Sequence, residues 1–305
     1  MTGHPSGETI AAARSVDDLR KQVCAWRARG ERIALVPTMG ALHEGHLSLV
    51  RFARARADRV IASIFVNPAQ FAPHEDFDSY PRKEAADLEK LESERTDLAF
   101  IPPREEMYPE GFATRVVVSG LGEPLCGASR PHFFGGVATV VAKLLNQAQP
   151  DIAVFGEKDY QQLIIIKRLA RDLDVPVEII GAPTIREADG LAMSSRNAYL
   201  NPEQRKIAPR LYAVLREAAE KLSGGAPVAD ARKSAHAALE DAGFDRVDYF
   251  DIRRAEDLAE IGPGPLSVPA RVFGAVFLGD ARLIDNLPVP RTPTSPAGSR
   301  PADQG

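Results

Sequence analysis

The sequence predicts an α/β fold: a Rossmann-like parallel-sheet nucleotide-binding domain followed by a smaller α+β C-terminal domain. From Ile33 to about Arg186, short apolar runs alternate with helical stretches, the order that builds a parallel sheet covered by helices. Runs such as Val60-Ile61-Ala62-Ser63-Ile64-Phe65-Val66 are almost wholly apolar, as suits strands buried on both faces. After Gly190 the character changes to long Ala/Leu/Glu/Lys/Arg segments and then two more strand-like runs.

Strands are predicted at 33–36, 60–66, 98–101, 115–118, 152–155 and 177–180. A helix follows the first of them, because Leu47, Val50, Ala53 and Ala57 recur with helical spacing. The later part predicts helices at about 203–223 and 228–242, with strands near 246–252 and 271–279. A chain of 305 residues is long enough for two domains, which we place at 1–186 and 187–287. Residues 288–305 are rich in Pro, Ser, Thr and Gly, the composition of a disordered tail. No internal repeat is present.

With 44% hydrophobic and 26% charged residues, the composition is that of a globular protein. A net charge of −4, with basic residues scattered among acidic ones, argues against a nucleic-acid partner. Met1 to Ala13 has no signal-peptide pattern and no window is long and apolar enough to span a membrane, so a cytoplasmic protein without a membrane partner is expected. Cys24 and Cys126 lie far apart without metal-ligand spacing, as free thiols would.

The segment from Pro37 to His46 is the strongest functional signal. It leaves an apolar strand, turns on Gly40, and presents His43 and His46 where a helix begins. Unpaired N–H groups and the positive helix end favour an anion there, and two histidines three apart share a face from which both can donate to one phosphate. Capping or surface histidines are the plainer alternative for such a pair. Asn67 and Lys158 also follow predicted strands, so their side chains and His43 are expected to converge beyond the carboxyl ends of the sheet.

His43-Glu44-Gly45-His46 is similar to the His-x-Gly-His signature of the nucleotidyltransferase superfamily. Three more segments agree with it in order and spacing: Ser63 to Phe71, Phe155-Gly156-Glu157-Lys158-Asp159-Tyr160-Gln161-Gln162, and Ala192-Met193-Ser194-Ser195-Arg196-Asn197. Together, from about Leu35 to Asn286, they closely resemble the pantothenate synthetase (pantoate–β-alanine ligase) family. The resemblance implies ATP-dependent condensation of pantoate with β-alanine through pantoyl adenylate, giving pantothenate, AMP and pyrophosphate, with Mg²⁺ as cofactor and a homodimer as the assembly.

It also implies a site. ATP would be held by Met39, Gly40, Ala41, Leu42, His43, Glu44, Gly45 and His46, by Gly156, Glu157, Lys158 and Asp159, and by Ile185, Met193, Ser194, Ser195 and Arg196. Of these, His43, His46, Lys158, Ser194, Ser195 and Arg196 would stabilise the charge that builds on the phosphates. Arginine suits this because its planar fork binds two oxygens at once, and lysine because it is a compact point charge. Asp159 would meet ribose hydroxyls or a metal ion, and the metal ligands stay unassigned. Gln70 and Gln162, with donors and acceptors both, suit a small hydroxylated carboxylate, and Asn67 and Met39 complete that pocket. His46 is the family's candidate for proton handling, a role we rank below its phosphate contact. Met193 to Arg196, near the domain junction, would close on ATP by a hinge movement.

One segment departs from the family pattern. Arg130-Pro131-His132-Phe133-Phe134-Gly135-Gly136-Val137 has Phe133 where histidine is usual and His132 one place early. If extended, that shift turns the side chain to the opposite face, so His132 is not expected to substitute. The loop from Phe71 to Arg82 is expected to cover the pocket. Two other activities stay open at this point: a nucleotidyltransferase acting on a phosphorylated acceptor, and an ATP-binding protein without turnover.

Overall fold

The computed structural model describes residues 10–72, 77–78 and 80–290. Its parallel sheet is built from β1 (Ala12–Ala13), β2 (Ile33–Thr38), β3 (Arg59–Ile64), β4 (Leu98–Phe100), β5 (Ile152–Gly156) and β6 (Glu178–Ala182) in the spatial order β1-β4-β3-β2-β5-β6. The α/β fold with a Rossmann-like sheet is therefore the one observed. The chain works outward from β2 to β4 and then returns to β5 on the other side of β2, which makes a switch point where such sheets bind ligands. There β2 and β5 pair only at Ala34–Ile152 and Leu35–Ala153, so their carboxyl ends separate into a crevice.

Helices α1 (Val16–Arg27), α2 (Glu44–Arg54), α3 (Glu84–Ser93), α4 (Arg104–Met107), α5 (Cys126–Ser129), α6 (Phe133–Ala148) and α7 (Tyr160–Asp172) accompany this sheet. The local chemistry starts α1 as expected: Ser15 accepts from Asp18 N–H, with Asp17 and Asp18 in the first turn and Arg27 in the last. Leu35, Ile61 and Phe100 are fully buried between the helical layers, each contributing about 1.5–3 kcal/mol by leaving water.

A second core lies around an antiparallel sheet of β7 (Arg246–Arg254), β8 (Ala270–Leu278) and β9 (Ala281–Pro288), covered by α8 (Pro202–Ile207), α9 (Arg210–Ser223) and α10 (Val228–Glu240). The continuous helix expected at 203–223 is divided, because Pro209 has no N–H to donate and α8 ends before it. Strand β9 was not expected. It returns from β8 through Gly279, whose positive φ of 54° suits the turn.

The strand expected at 115–118 is absent. That segment runs without a partner strand; Val116 N–H donates to Thr139 Oγ1 at 3.0 Å, and Val117 is left 65% exposed. The sixth strand of the sheet is instead the two-residue β1. Nor is the segment around Phe133 extended: Phe133 opens α6 with His132 at the N-cap position. A one-residue offset there rotates a side chain by about 100° instead of reversing it. Pro73 to Asp76 and Ser79 of the expected covering loop, and 291–305 of the expected tail, lie outside the described residues.

Helix α6 crosses the turn after β3 with no room for a side chain. A Cβ on Gly136 would lie 2.1 Å from the Ala69 carbonyl oxygen. Gly136→Ala is therefore expected to push apart α6 and the 67–70 turn, at a cost of about 1–3 kcal/mol by overpacking. Urea unfolding measures this, and a midpoint equal to that of the parent chain would contradict the contact.

Candidate active site

The crevice at the switch point is lined by Met39, His43, Gly45 and His46 from the β2–α2 connection, Asn67 and Gln70 after β3, Gly156, Lys158, Asp159 and Gln162 after β5, and Ile185, Met193, Ser194, Ser195 and Arg196 beyond β6. Four stretches of sequence thus meet at one place. Five residues predicted for ATP do not line it: Gly40, Ala41, Leu42, Glu44 and Glu157.

Their positions have physical reasons. Gly40 turns the chain at φ 81°, and a Cβ there would meet Asp87 Oδ2 at 3.0 Å. The N–H groups of Ala41 and Leu42, instead of facing a ligand, donate to the buried Asp87 carboxylate at 2.9 and 2.8 Å. Leu42 is buried in the core, and Glu44 turns back to pair with Arg51. Glu157 pairs with Arg271 of β8 at 2.8 Å. Asp87, on α3, carried no motif and was not anticipated.

His43 and His46 are both helix caps and cavity groups. His43 sits at the N-cap, and its Nδ1 accepts from Gly45 N–H at 3.2 Å; His46 Nδ1 accepts from His43 N–H at 3.4 Å. The rings lie 4.1 Å apart. Gly45 makes this possible, since a Cβ there would come within 2.9 Å of the His43 ring. With each Nδ1 used as an acceptor, the proton resides on Nε2, which leaves each ring an N–H to donate.

Both rings are held neutral. Burial, then Lys158 and Lys90, lower the His43 pKa to about 4; burial, then His43 and Lys158, lower that of His46 to about 3, although its ring keeps an opening to the crevice. The unfolded chain therefore binds protons that the folded chain refuses between about pH 6.5 and these values, so stability from this pair is present above pH 6.5 and is lost as pH falls toward 4 and 3. In the ligand-free protein the imidazole NMR signals of both residues are expected to stay unshifted from pH 8 to about 5. A titration midpoint near 6.5 would contradict this.

The amides divide into two kinds. Asn67 has no capacity left: Nδ2 donates to Gln70 Oε1 and to the Gly136 carbonyl, while Oδ1 accepts from Ala69 N–H and from Tyr108 Oη at 2.7 Å. Burial raises the Tyr108 pKa to about 12, keeping that phenol a donor. Gln70, aimed by Asn67, has among the described residues only the weak Met39 sulfur, at 3.0 Å, on its Nε2. The Gln162 side chain has no hydrogen bond among the described residues, whereas that of its neighbour Gln161 is spent on Cys126 N–H and two backbone carbonyls. Gln70 and Gln162 are thus the amides with capacity for a ligand, and Phe65, Val137 and Val140 supply apolar wall beside them.

In the same crevice, Lys158 Nζ lies 3.7 Å from Asp159 Oδ2. Gly156 has an ordinary φ of −73°, and a Cβ there would touch only Leu49 Cδ2 at 4.0 Å. Ser194 caps the short turn Ser195–Tyr199 by accepting from Arg196 N–H, and Ser195 Oγ meets Tyr80 Oη at 3.4 Å. Tyr80 belongs to the described part of the 71–82 segment and lines the crevice. His132 is exposed and lies away from it, while the Arg130 guanidinium stacks over the Phe133 ring at 3.8 Å.

Among the described residues no group of three His, Cys, Asp or Glu is placed to hold a metal ion. Cys24 and Cys126 are free thiols. No described helix is long and apolar enough to cross a membrane.

Comparison with known proteins agrees with this arrangement. A family model described as pantoate-beta-alanine ligase matches residues 11–288. A pantothenate synthetase of Caulobacter vibrioides is 61% identical over 277 residues, 90% of this chain and 97% of that protein. The crystal structure of pantothenate synthetase from Thermus thermophilus superposes with a TM-score of 0.87 at 48% identity, covering 92% of this chain and 99% of that one. That of pantoate-beta-alanine ligase from Francisella tularensis, complexed with beta-gamma ATP and beta-alanine, does so with a TM-score of 0.78 at 32% identity, over 93% and 100%. A family match over nearly the whole described chain, with relatives this similar at full length, means that the chain belongs to the pantoate-beta-alanine ligase family.

Proposed function

We propose that this crevice condenses pantoate with β-alanine at the expense of ATP, giving pantothenate, AMP and pyrophosphate through pantoyl adenylate. The observation that carries this is one crevice lined both by His43, His46, Lys158 and Arg196 and by Gln70 and Gln162, two amides whose side chains keep capacity for a ligand. Pantoate is a small carboxylate bearing hydroxyls, which Gln70 and Gln162 suit as donors and acceptors.

In the first step a pantoate carboxylate oxygen attacks the α-phosphorus of ATP, and the bond to pyrophosphate breaks. A carboxylate is ionised at neutral pH, so no base is needed. Charge grows on the phosphate oxygens, where Nε2–H of His43 and His46, the Lys158 ammonium and the Arg196 guanidinium donate, with the Ser194 and Ser195 hydroxyls beside them. In the second step the neutral amine of β-alanine attacks the acyl carbon, the bond from that carbon to the AMP phosphate oxygen breaks, and the proton shed by the amine passes to the departing phosphate or to water. His46 is a poor base for that amine, because its Nδ1 lone pair already accepts from His43 N–H. Its role is donation to phosphate.

Mg²⁺ fits as a companion of the nucleotide: such ions take one or two carboxylates plus substrate phosphates, and Asp159 is the carboxylate in the crevice. Bound there, the ion would neutralise phosphate charge. Ile185 and Met193 would contact adenine, residues 187–287 form the second domain, and the active assembly is a homodimer in the cytoplasm, as in the family this chain resembles.

Gln70→Ala is expected to raise the KM for pantoate about tenfold or more with little change in that for ATP. Asn67→Ala, acting through Gln70, shifts the same constant. Steady-state kinetics with each substrate varied measures both, and equal changes for pantoate and ATP would remove the pocket assignment. Product analysis separates acyl transfer from nucleotidyl transfer, since the former releases AMP and the latter retains it.

A further inference from the structure

Strand β9 reaches both loops that carry the phosphate-facing groups. Asn286, 3% exposed, donates from Nδ2 to the Glu157 carbonyl at 3.0 Å and the Lys158 carbonyl at 2.8 Å. Two carbonyls as neighbours settle the orientation of the amide, because both require donors. Its Oδ1 is buried without a hydrogen-bond partner, so the side chain is held there for its two N–H groups.

The preceding residue grips the other loop. Asp285 pairs in bidentate fashion with Arg186 at 2.6 and 2.9 Å, and the same guanidinium donates to the Gly190 carbonyl and stacks on Tyr212 at 4.1 Å. Arg186 and Ala192 form an isolated antiparallel bridge, and Met193 N–H donates to the Ile185 carbonyl. Asp285 thus clamps the base of the hairpin from which Ser194, Ser195 and Arg196 emerge. Asp285 Oδ1 also accepts from Asn286 N–H at 2.8 Å, which couples the two grips.

We propose that Asp285 and Asn286 are a positioning pair, which sets the spacing of the Lys158 turn relative to the Ser194–Arg196 turn from one rigid strand of the second sheet. Neither residue touches the reacting atoms. Adjacent residues on a strand point to opposite faces, so one strand can hold two loops at a fixed separation. The inference rests on the adenylate-forming reading above. It also places the Lys158 turn on the second sheet by three contacts, Arg271–Glu157 and the two bonds from Asn286.

The test is a pair of mutant cycles, read by pantoate-dependent exchange of labelled pyrophosphate into ATP. Asn286→Ala is expected to lower the maximal exchange rate about 10- to 100-fold, the scale of a misplaced catalytic group, and to leave the pantoate KM within about twofold. In a Lys158→Ala background the same change is expected to cost less than about threefold, since its effect runs through Lys158. Asp285→Asn against Arg196→Ala follows the same logic. Asn286→Leu keeps roughly the same size, presents no donor to either carbonyl and adds no charge, and it carries the test if the alanine variant fails to fold. A rate within about threefold of the parent enzyme, full loss repeated in the Lys158→Ala background, or a raised pantoate KM at unchanged rate would each overturn the proposal. Parent enzyme without any exchange would instead defeat the adenylate reading.

Discussion

Lys158→Ala is expected to lower pantoate-dependent exchange by about 10²-fold or more, the usual scale for losing one donor that counts most in the transition state. The lysine stands on a turn held from behind by Asn286, with an ammonium whose nearby acid, Asp159, is 3.7 Å away. That separation leaves the charge available to a phosphate. His46→Ala is expected to fall by a similar factor, because its Nε2–H is pre-aimed by the bond that its Nδ1 makes with His43 N–H. Lys158→Arg keeps the charge but moves it along a longer planar side chain, so only partial activity should return. Near-normal exchange by either alanine variant would remove that residue from the chemistry.

Asp87→Ala is expected to cost about 2–5 kcal/mol of stability, because two N–H groups lose their shared acceptor inside the protein. The chain from Gly40 to Leu42 is bent around this carboxylate, and the Lys90 ammonium secures the Leu42 carbonyl at 2.6 Å from the same helix. Releasing the bend frees the His43 cap as well, so the variant that remains folded should exchange pyrophosphate slowly. Urea unfolding with an unchanged slope and a lowered midpoint is the expected signature. A loss below about 1 kcal/mol would mean that the β2–α2 connection holds its own shape.

The parts of the fold that were legible in the sequence are those where one physical signal dominates. Continuous apolar runs at 33–36, 60–66 and 152–155 are strands because both faces are covered. The run 115–118 has the same local look, yet it pairs with no strand, and Thr139 takes the Val116 N–H instead. Such competition is decided by tertiary position. Strand β1 is too short to show a period, and β9 alternates weakly because its Asp285 and Asn286 are buried for their polar contacts.

The crevice was legible where a motif names side-chain chemistry, as with His43, His46, Lys158 and Arg196. It was less so where backbone direction decides. A stretch from Met39 to His46 reads as one phosphate loop, but three of its residues face Asp87 or the core and Glu44 faces Arg51. Asp87, Tyr80, Tyr108 and Asn286 act on the site from distant segments, and single buried polar residues carry no spacing signal. Phe133 marks a departure whose outcome only the structure reveals: it is the platform for Arg130, at 3.8 Å.

Activation of pantoate as an acyl adenylate in this crevice is read out by exchange of labelled pyrophosphate into ATP. The measurement uses pantoate without β-alanine, followed by β-alanine addition with AMP and pantothenate quantified. Exchange is expected to require pantoate but not β-alanine, with AMP and pantothenate then appearing in equal amounts once the amine is present. A folded protein that binds ATP yet shows neither exchange nor pantothenate would contradict it.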